Sequence, residues 1–363
     1  MKLTAPTARF AWRCCLAAST LLAASGTPAA PSAVRPNDPT ISTAFRQINV
    51  QAAWAKTKGD CTGAIVALIG NGVDIDHPDL KQNIISIPGG DGELDDVHGW
   101  NFEANDSDPR PDGPDKARYW WHETFAAGII GAVGDNGIGT TGICERARIL
   151  PIRKVFADDS DPEAAHQAAE SIYYAVEVRR RESARAGHDV PMVISGSWGM
   201  DIGAAHASPV LRRAIDAAAR AGLGMVFAAG NYQSSNDAPR TAVYPASWSV
   251  SNPNVVSVGA VDENDRLSSL SNHGDSVLIT APAVGLYSTV PGGGYAWDVA
   301  GREGYTSWAA PQVAAAIAMY WSLHPDAPFS VVKRALLSSA DHIPGLKVLG
   351  GNRLNVGRMV NGP

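Results

Sequence analysis

Cysteine is scarce in this chain, with four in 363 residues. Cys14 and Cys15 fall in an N-terminal leader, so only Cys61 and Cys144 remain to form a disulfide. Runs of lysine and arginine are absent as well. The formal net charge is −6, and it becomes −9 once Lys2, Arg9 and Arg13 leave with the leader. An acidic chain without basic runs is a poor nucleic-acid binder, which excludes that class of partner. Beyond the leader no apolar run is long enough to cross a bilayer. Internal repeats and low-complexity tracts are missing from the body of the chain.

What the chain does have begins with the leader. Basic residues at its start, an apolar stretch from Cys14 to Ala24 and then small residues read as a signal peptide over 1–30. Trp12 and Arg13 before the cysteines rule against a lipoprotein site. The mature protein is expected outside the cell or in the periplasm, off the membrane after cleavage. In that setting Cys61 and Cys144 are expected to be paired. Residues 31–47, rich in Pro, Ser and Thr up to Thr43, read as a flexible lead. The 45% hydrophobic composition supports one large domain, over 48–360.

Short apolar runs alternate with helical periodicity through that domain. Strands are predicted at 64–69, 148–155, 192–195, 224–228, 255–261 and 277–280. Helices are predicted at 122–133, 162–185, 209–221, 307–323 and 330–339. Such alternation implies an α/β fold with a mostly parallel central sheet and helices on both faces. A site is then expected at the carboxyl ends of the strands. That rule selects Gly70-Asn71-Gly72, Ser197-Trp198-Gly199 and Gly230-Asn231. Cys61 and Cys144 precede strands and belong to the opposite edge.

Thr306-Ser307 stands directly before the apolar helix, and Pro311 is expected in that helix's first turn. Ser307 is therefore placed at a helix N-terminus, where unpaired N–H groups and the dipole favour a developing negative charge. An acyl-transfer nucleophile needs that environment; an ordinary serine cap would show the same local pattern.

Ordered blocks decide between the two. They are Ile69-Gly70-Asn71-Gly72-Val73-Asp74 with His77-Pro78-Asp79-Leu80, then His122 to Gly128, Ser197-Trp198-Gly199, Ala228-Ala229-Gly230-Asn231 with Tyr244-Pro245-Ala246, and Thr306 to Pro311. In this order they resemble the subtilisin family of serine proteases over nearly all of 48–360. The resemblance implies a subtilisin-like fold. It implies Ser307 as nucleophile, His122 as general base and Asn231 as the side-chain donor of the oxyanion hole. Ser197, Trp198, Gly199, Ala229 and Gly230 match the walls that hold a substrate strand.

The departures gather at one place. The family's triad aspartate ends the first strand, and here that position is Gly70. The glycine after the histidine is Glu123, the second histidine of that block is Phe125, and Tyr305 and Trp308 flank Thr306-Ser307. One account relocates the acid to Glu123, although successive helix residues do not ordinarily face each other. Asn71, Asp74 and Asp76 are alternative orienters. The other account is a pseudoprotease that keeps a peptide groove without turnover.

The resemblance also implies calcium as a candidate, held by Asp79 and the loop of Asp135-Asn136-Gly137-Ile138-Gly139, though a plain acidic turn fits those residues too. No cofactor is required. The stretch before Ile48 is too short for the folding prodomain of many secreted subtilases. The reading is a monomeric serine endopeptidase acting on peptide or protein substrates through an acyl-enzyme. The alternatives are a peptide-binding module and an esterase or amidase with the same nucleophile.

Overall fold

The runs of Val, Ile, Ala and Leu at the centre of the chain form strands buried at every residue. These are β1 (Ile65–Gly70), β3 (Ile149–Arg153), β4 (Met192–Gly196), β5 (Gly224–Ala228), β6 (Val255–Val261) and β7 (Ile279–Pro282). Strands covered on both faces read as continuous apolar runs, as these do. A computed structural model describes residues 36–87, 97–114, 119–154, 162–199, 208–298 and 304–362. The leader read at 1–30 and the first residues of the lead lie outside the described residues, as does Val155.

Two-residue strands complete the sheet: β2 (Trp100–Asn101), β10 (Asp341–His342) and β11 (Asn352–Arg353). The nine strands lie in the order β10-β11-β7-β6-β5-β4-β1-β3-β2. All neighbours are parallel except β10 and β11. The register brings Val66 to both Ile149 and Val193. A separate antiparallel hairpin pairs β8 (Tyr287–Val290) with β9 (Gly294–Trp297).

The two-residue period of a strand divides β1 between two cores. Ile65, Ala67 and Ile69 face the layer of α4 (Pro162–Ala186) and α5 (Pro209–Arg220). Val66 and Leu68 face α3 (His122–Gly131) and α6 (Thr306–Leu323). Helix α6 is apolar around most of its circumference because it is buried along nearly its whole length against β4, β5, β6, β7 and α3. Its alanines let the helix approach the strands closely. Smaller helices are α1 (Ala44–Gln47), α2 (Val50–Thr57), α7 (Phe329–Ser338) and α8 (Val356–Asn361). Among the described residues no helix is long and apolar enough to cross a membrane.

Cys61 and Cys144 are joined by a disulfide, with 5.6 Å between their Cα atoms. Each lies just before a strand, on the edge opposite the carboxyl ends of β1 and β3.

Two sequence-based expectations change. From Pro36 onward the lead is not free chain. The Asp38 carboxylate accepts from the Asp135 and Asn136 N–H groups at 2.9 and 3.2 Å, and Phe45 is fully buried. Composition rich in Pro and Ser says nothing of a partner surface elsewhere in the chain. Pro311 sits not in the first turn of α6 but inside the helix, because the helix already starts at Thr306. The carbonyl that its missing N–H would have bonded, four residues back, belongs to Ser307.

Candidate active site

Three backbone termini converge at the carboxyl edge of the sheet. Strand β1 ends at Gly70, and α3 and α6 begin at His122 and Thr306. The loops after β4 and β5 supply Ser197 to Gly199 and Ala229 to Asn231.

His122 is the first residue of α3, directly after Trp121, and is 8% exposed. Its Nδ1–H donates to Glu123 Oε2 at 2.6 Å. The expectation that neighbouring helix residues diverge fails here because both sit in the opening turn. Glu123 is fully buried and points toward the end of β1. A Cβ built on Gly70 would lie 2.1 Å from both Glu123 Cδ and Oε1. The carboxylate therefore fills the space that the glycine leaves. Asn71 fixes the segment from below: its Oδ1 accepts from the Glu123 N–H at 3.3 Å, and its Nδ2 donates to the Tyr119 carbonyl. The other proposed orienters are engaged elsewhere. Asp74 accepts from the Gly292 N–H at 2.8 Å, and Asp76 pairs with Arg110 at 2.8 Å.

Ser307 is the second residue of α6 and is 7% exposed. Its Oγ donates to the Ser197 carbonyl at 3.4 Å. The Ser307 carbonyl, freed by Pro311, accepts from Ser197 Oγ at 2.8 Å. This pair of bonds ties the first turn of α6 to the loop after β4. The aromatic residue after the serine packs on His122, with the Trp308 and His122 ring centroids 4.8 Å apart.

Asn231 Oδ1 accepts from the Thr306 N–H at 2.8 Å and from Thr306 Oγ1 at 2.9 Å. Those bonds fix the amide orientation and leave Nδ2 as its donor end. Gly230 has φ +108°, and a Cβ there would meet Asn272 Nδ2 at 2.7 Å, so only glycine fits the turn.

The expected walls are only partly on the cleft surface. Trp198 turns inward: its Nε1–H donates to the Ile69 carbonyl at 2.9 Å, and the Lys154 ammonium lies 4.8 Å above its ring. Ala229 is fully buried in a small cluster with Val261 and Val277. The Ser197 hydroxyl donates to the first turn of α6. Asn272 and Trp121 were not singled out by the sequence, whereas Asn71 stood there as an alternative orienter and Thr306 as the polar residue before Ser307.

The residues proposed for calcium are bonded to neighbouring groups of the chain. Asp79 is fully buried, and its two carboxylate oxygens accept from Asn136 Nδ2 at 2.7 Å and the Thr140 N–H at 3.1 Å. Asn136 Oδ1 is already taken by the Ile138 N–H at 3.0 Å, which sets the amide with its nitrogen toward Asp79. Asp135 Oδ1 accepts from the Asn37 N–H at 3.2 Å. Burial pushes the Asp79 carboxyl up, opposed by those hydrogen bonds. Among the described residues no group of three or more His, Cys, Asp or Glu could hold a metal.

A serine at a helix N-terminus, followed by a tryptophan that packs on a histidine bonded to a buried carboxylate at the carboxyl edge of a parallel sheet, has the components of a serine-hydrolase site. Comparison with known proteins narrows the class. The model described as the subtilase family matches residues 62–357. Thermitase from Thermoactinomyces vulgaris is 32% identical over 85% of this chain and 93% of its own length. A thermophilic serine proteinase from a Bacillus species is 34% identical over 81% of this chain, which spans only 60% of that protein. A solved protease structure from Pseudoalteromonas arctica shares the fold, with a TM-score of 0.65 at 23% identity, covering 90% of this chain and 99% of the other. The chain belongs to the subtilase family of serine proteases.

Proposed function

We propose that the protein is an exported serine endopeptidase that cleaves peptide bonds through an acyl-enzyme on Ser307, with Glu123 in place of the family's strand-end aspartate. The observation that carries this reading is the 2.6 Å bond from His122 Nδ1 to Glu123, made in the space over Gly70. A carboxylate on Nδ1 holds the imidazole with Nε2 as the acceptor, the tautomer that a general base needs. His122 takes the Ser307 proton as Oγ attacks the scissile carbonyl, then gives it to the leaving amine. The Asn231 amide and the Ser307 N–H receive the negative charge on the carbonyl oxygen. Water repeats the sequence to release the acyl group. Substrates are unfolded protein or peptide, and the protein acts as a monomer in the periplasm or outside the cell.

Labelling with a fluorophosphonate, together with casein hydrolysis, tests the reading. Labelling and hydrolysis are both expected, and both should vanish in Ser307→Ala. Folded protein that neither labels nor cleaves would establish a peptide-binding module instead. Labelling with turnover of short esters alone would establish an esterase.

A further inference from the structure

The His122 imidazole is held on its edge by Glu123 and on its face by Trp308. The two ring planes are inclined by 36° with centroids 4.8 Å apart, and Trp308 is 1% exposed. Two more aromatic rings grip the same indole, Phe125 at 4.7 Å and Trp121 at 5.6 Å. Both flank His122 on its own segment, so the start of α3 clasps the side chain that α6 delivers. The indole N–H is buried and finds no hydrogen-bond partner among the described residues. An unpaired buried donor is costly, so the ring is not oriented by its N–H. Its face is what the surroundings use.

An indole face attracts a cation within about 6 Å of its centroid, more strongly than the other aromatic side chains do. The imidazole becomes a cation only during the reaction. The charged groups on the elements around it are few. Glu123 is the acid on the opening turn of α3, and residues 306–312 of α6 carry no charge. On the loop after β1, Asp74 is bonded to the Gly292 N–H and Asp76 to Arg110.

We propose that Trp308 is a positioning residue, whose indole face stabilises the imidazolium form of His122 and sets the ring's tilt, an assignment that rests on the peptidase reading above. The proton leaves Ser307 Oγ for His122 Nε2 as the Oγ–carbon bond forms, and Glu123 stays ionised. The positive charge so created lies between a carboxylate at Nδ1 and the indole π-face.

Site-specific incorporation of mono-, di- and trifluorotryptophan at position 308 tests this, because fluorine drains the π-face while nearly preserving shape. Two readouts are taken: the His122 pKa by imidazole NMR in the Ser307→Ala background, and kcat and KM on a peptide substrate with Ser307 intact. The His122 pKa is expected to fall stepwise by about one unit across the series, with kcat down about tenfold and KM unchanged. Trp308→Phe should fall between wild type and Trp308→Leu. A pKa constant to roughly 0.2 unit across the fluorinated series would overturn the proposal. Should Trp308→Leu fail to fold, the fluorinated series decides alone. A falling pKa in protein that never turns over would leave the platform standing and remove the peptidase. Full turnover with a flat pKa would do the reverse.

Discussion

Replacing Gly70 by alanine puts a methyl group where the Glu123 carboxylate now lies. The added Cβ would be 2.1 Å from Cδ and Oε1 and 2.5 Å from Cγ. Carbon atoms rest at about 3.5–4.0 Å, so something must give by more than about 1 Å. Strand β1 is paired with β4 over Ile65–Ile69 and with β3 over Val66–Gly70, so the side chain has to move. Glu123 then loses its bond to His122. Overpacking of this kind costs about 1–3 kcal/mol of stability. The larger effect falls on catalysis. Loss of the triad acid in subtilisin, a member of this same family, costs on the order of 10⁴-fold in kcat, a magnitude taken from that enzyme and not from this structure. Gly70→Ala and Glu123→Gln should each approach that loss, and together they should cost little more than either alone. The double change Gly70→Asp with Glu123→Gly returns the acid to the strand end. It should recover at least about 10²-fold over Glu123→Gly, since interacting sites are non-additive. The assay is kcat/KM on a chromogenic peptide beside thermal unfolding for all variants. If Gly70→Ala keeps wild-type turnover, or Glu123→Gln is silent in an active enzyme, Glu123 is not the acid.

Other expected outcomes follow from single contacts. Ser197→Ala leaves the buried Ser307 carbonyl without its donor, and denaturant unfolding should show a loss of about 1–3 kcal/mol, with kcat falling as the nucleophile's turn loosens. Reducing the Cys61–Cys144 bridge, which spans 83 residues of sequence, should cost about 4–5 kcal/mol in the chain-entropy picture, read as a drop in urea midpoint against the oxidised protein. Burial first, and the charges of Asp135 and Asp38 second, push the Glu145 carboxyl from its ordinary value up to about 7. A carboxyl raised in the folded state favours folding while protonated and opposes it once ionised, so its penalty grows from the unfolded pKa to about pH 7. Glu145→Gln should therefore raise the melting temperature at pH 8, with the gain closing as pH falls toward 4.5; a gain independent of pH would refute the assignment.

The chain's local pattern determined a good deal. Mostly apolar runs at 64–69, 192–195 and 224–228 read as strands, which the structure has at Ile65–Gly70, Met192–Gly196 and Gly224–Ala228, and their alternation with helices implied the parallel sheet. Thr306-Ser307 before an apolar helix marked Ser307 at a helix N-terminus, where the structure has it, as the second residue of α6. The glycine at the first strand's end was visible as a missing acid. Local pattern was silent on β2, β10 and β11, because two-residue strands carry no periodicity. It also misplaced Pro311, since helix starts are set by caps and neighbours as much as by composition.

Tertiary structure alone decided what occupies the space above Gly70. Glu123 is remote from Gly70 along the chain, and helix spacing by itself argued that it would point away from His122. The side chain turns back because α3 begins at His122 and because a glycine, with no Cβ, leaves a buried gap of the right size beside that first turn. The same holds for Asp79, whose carboxylate oxygens accept from Asn136 Nδ2 and the Thr140 N–H, partners that the acidic loop's sequence does not name. Periodicity and capping are properties of neighbours in sequence. Which donor meets which carboxylate is a property of neighbours in space, and only the strand order and the approach of α3 to α6 fix those.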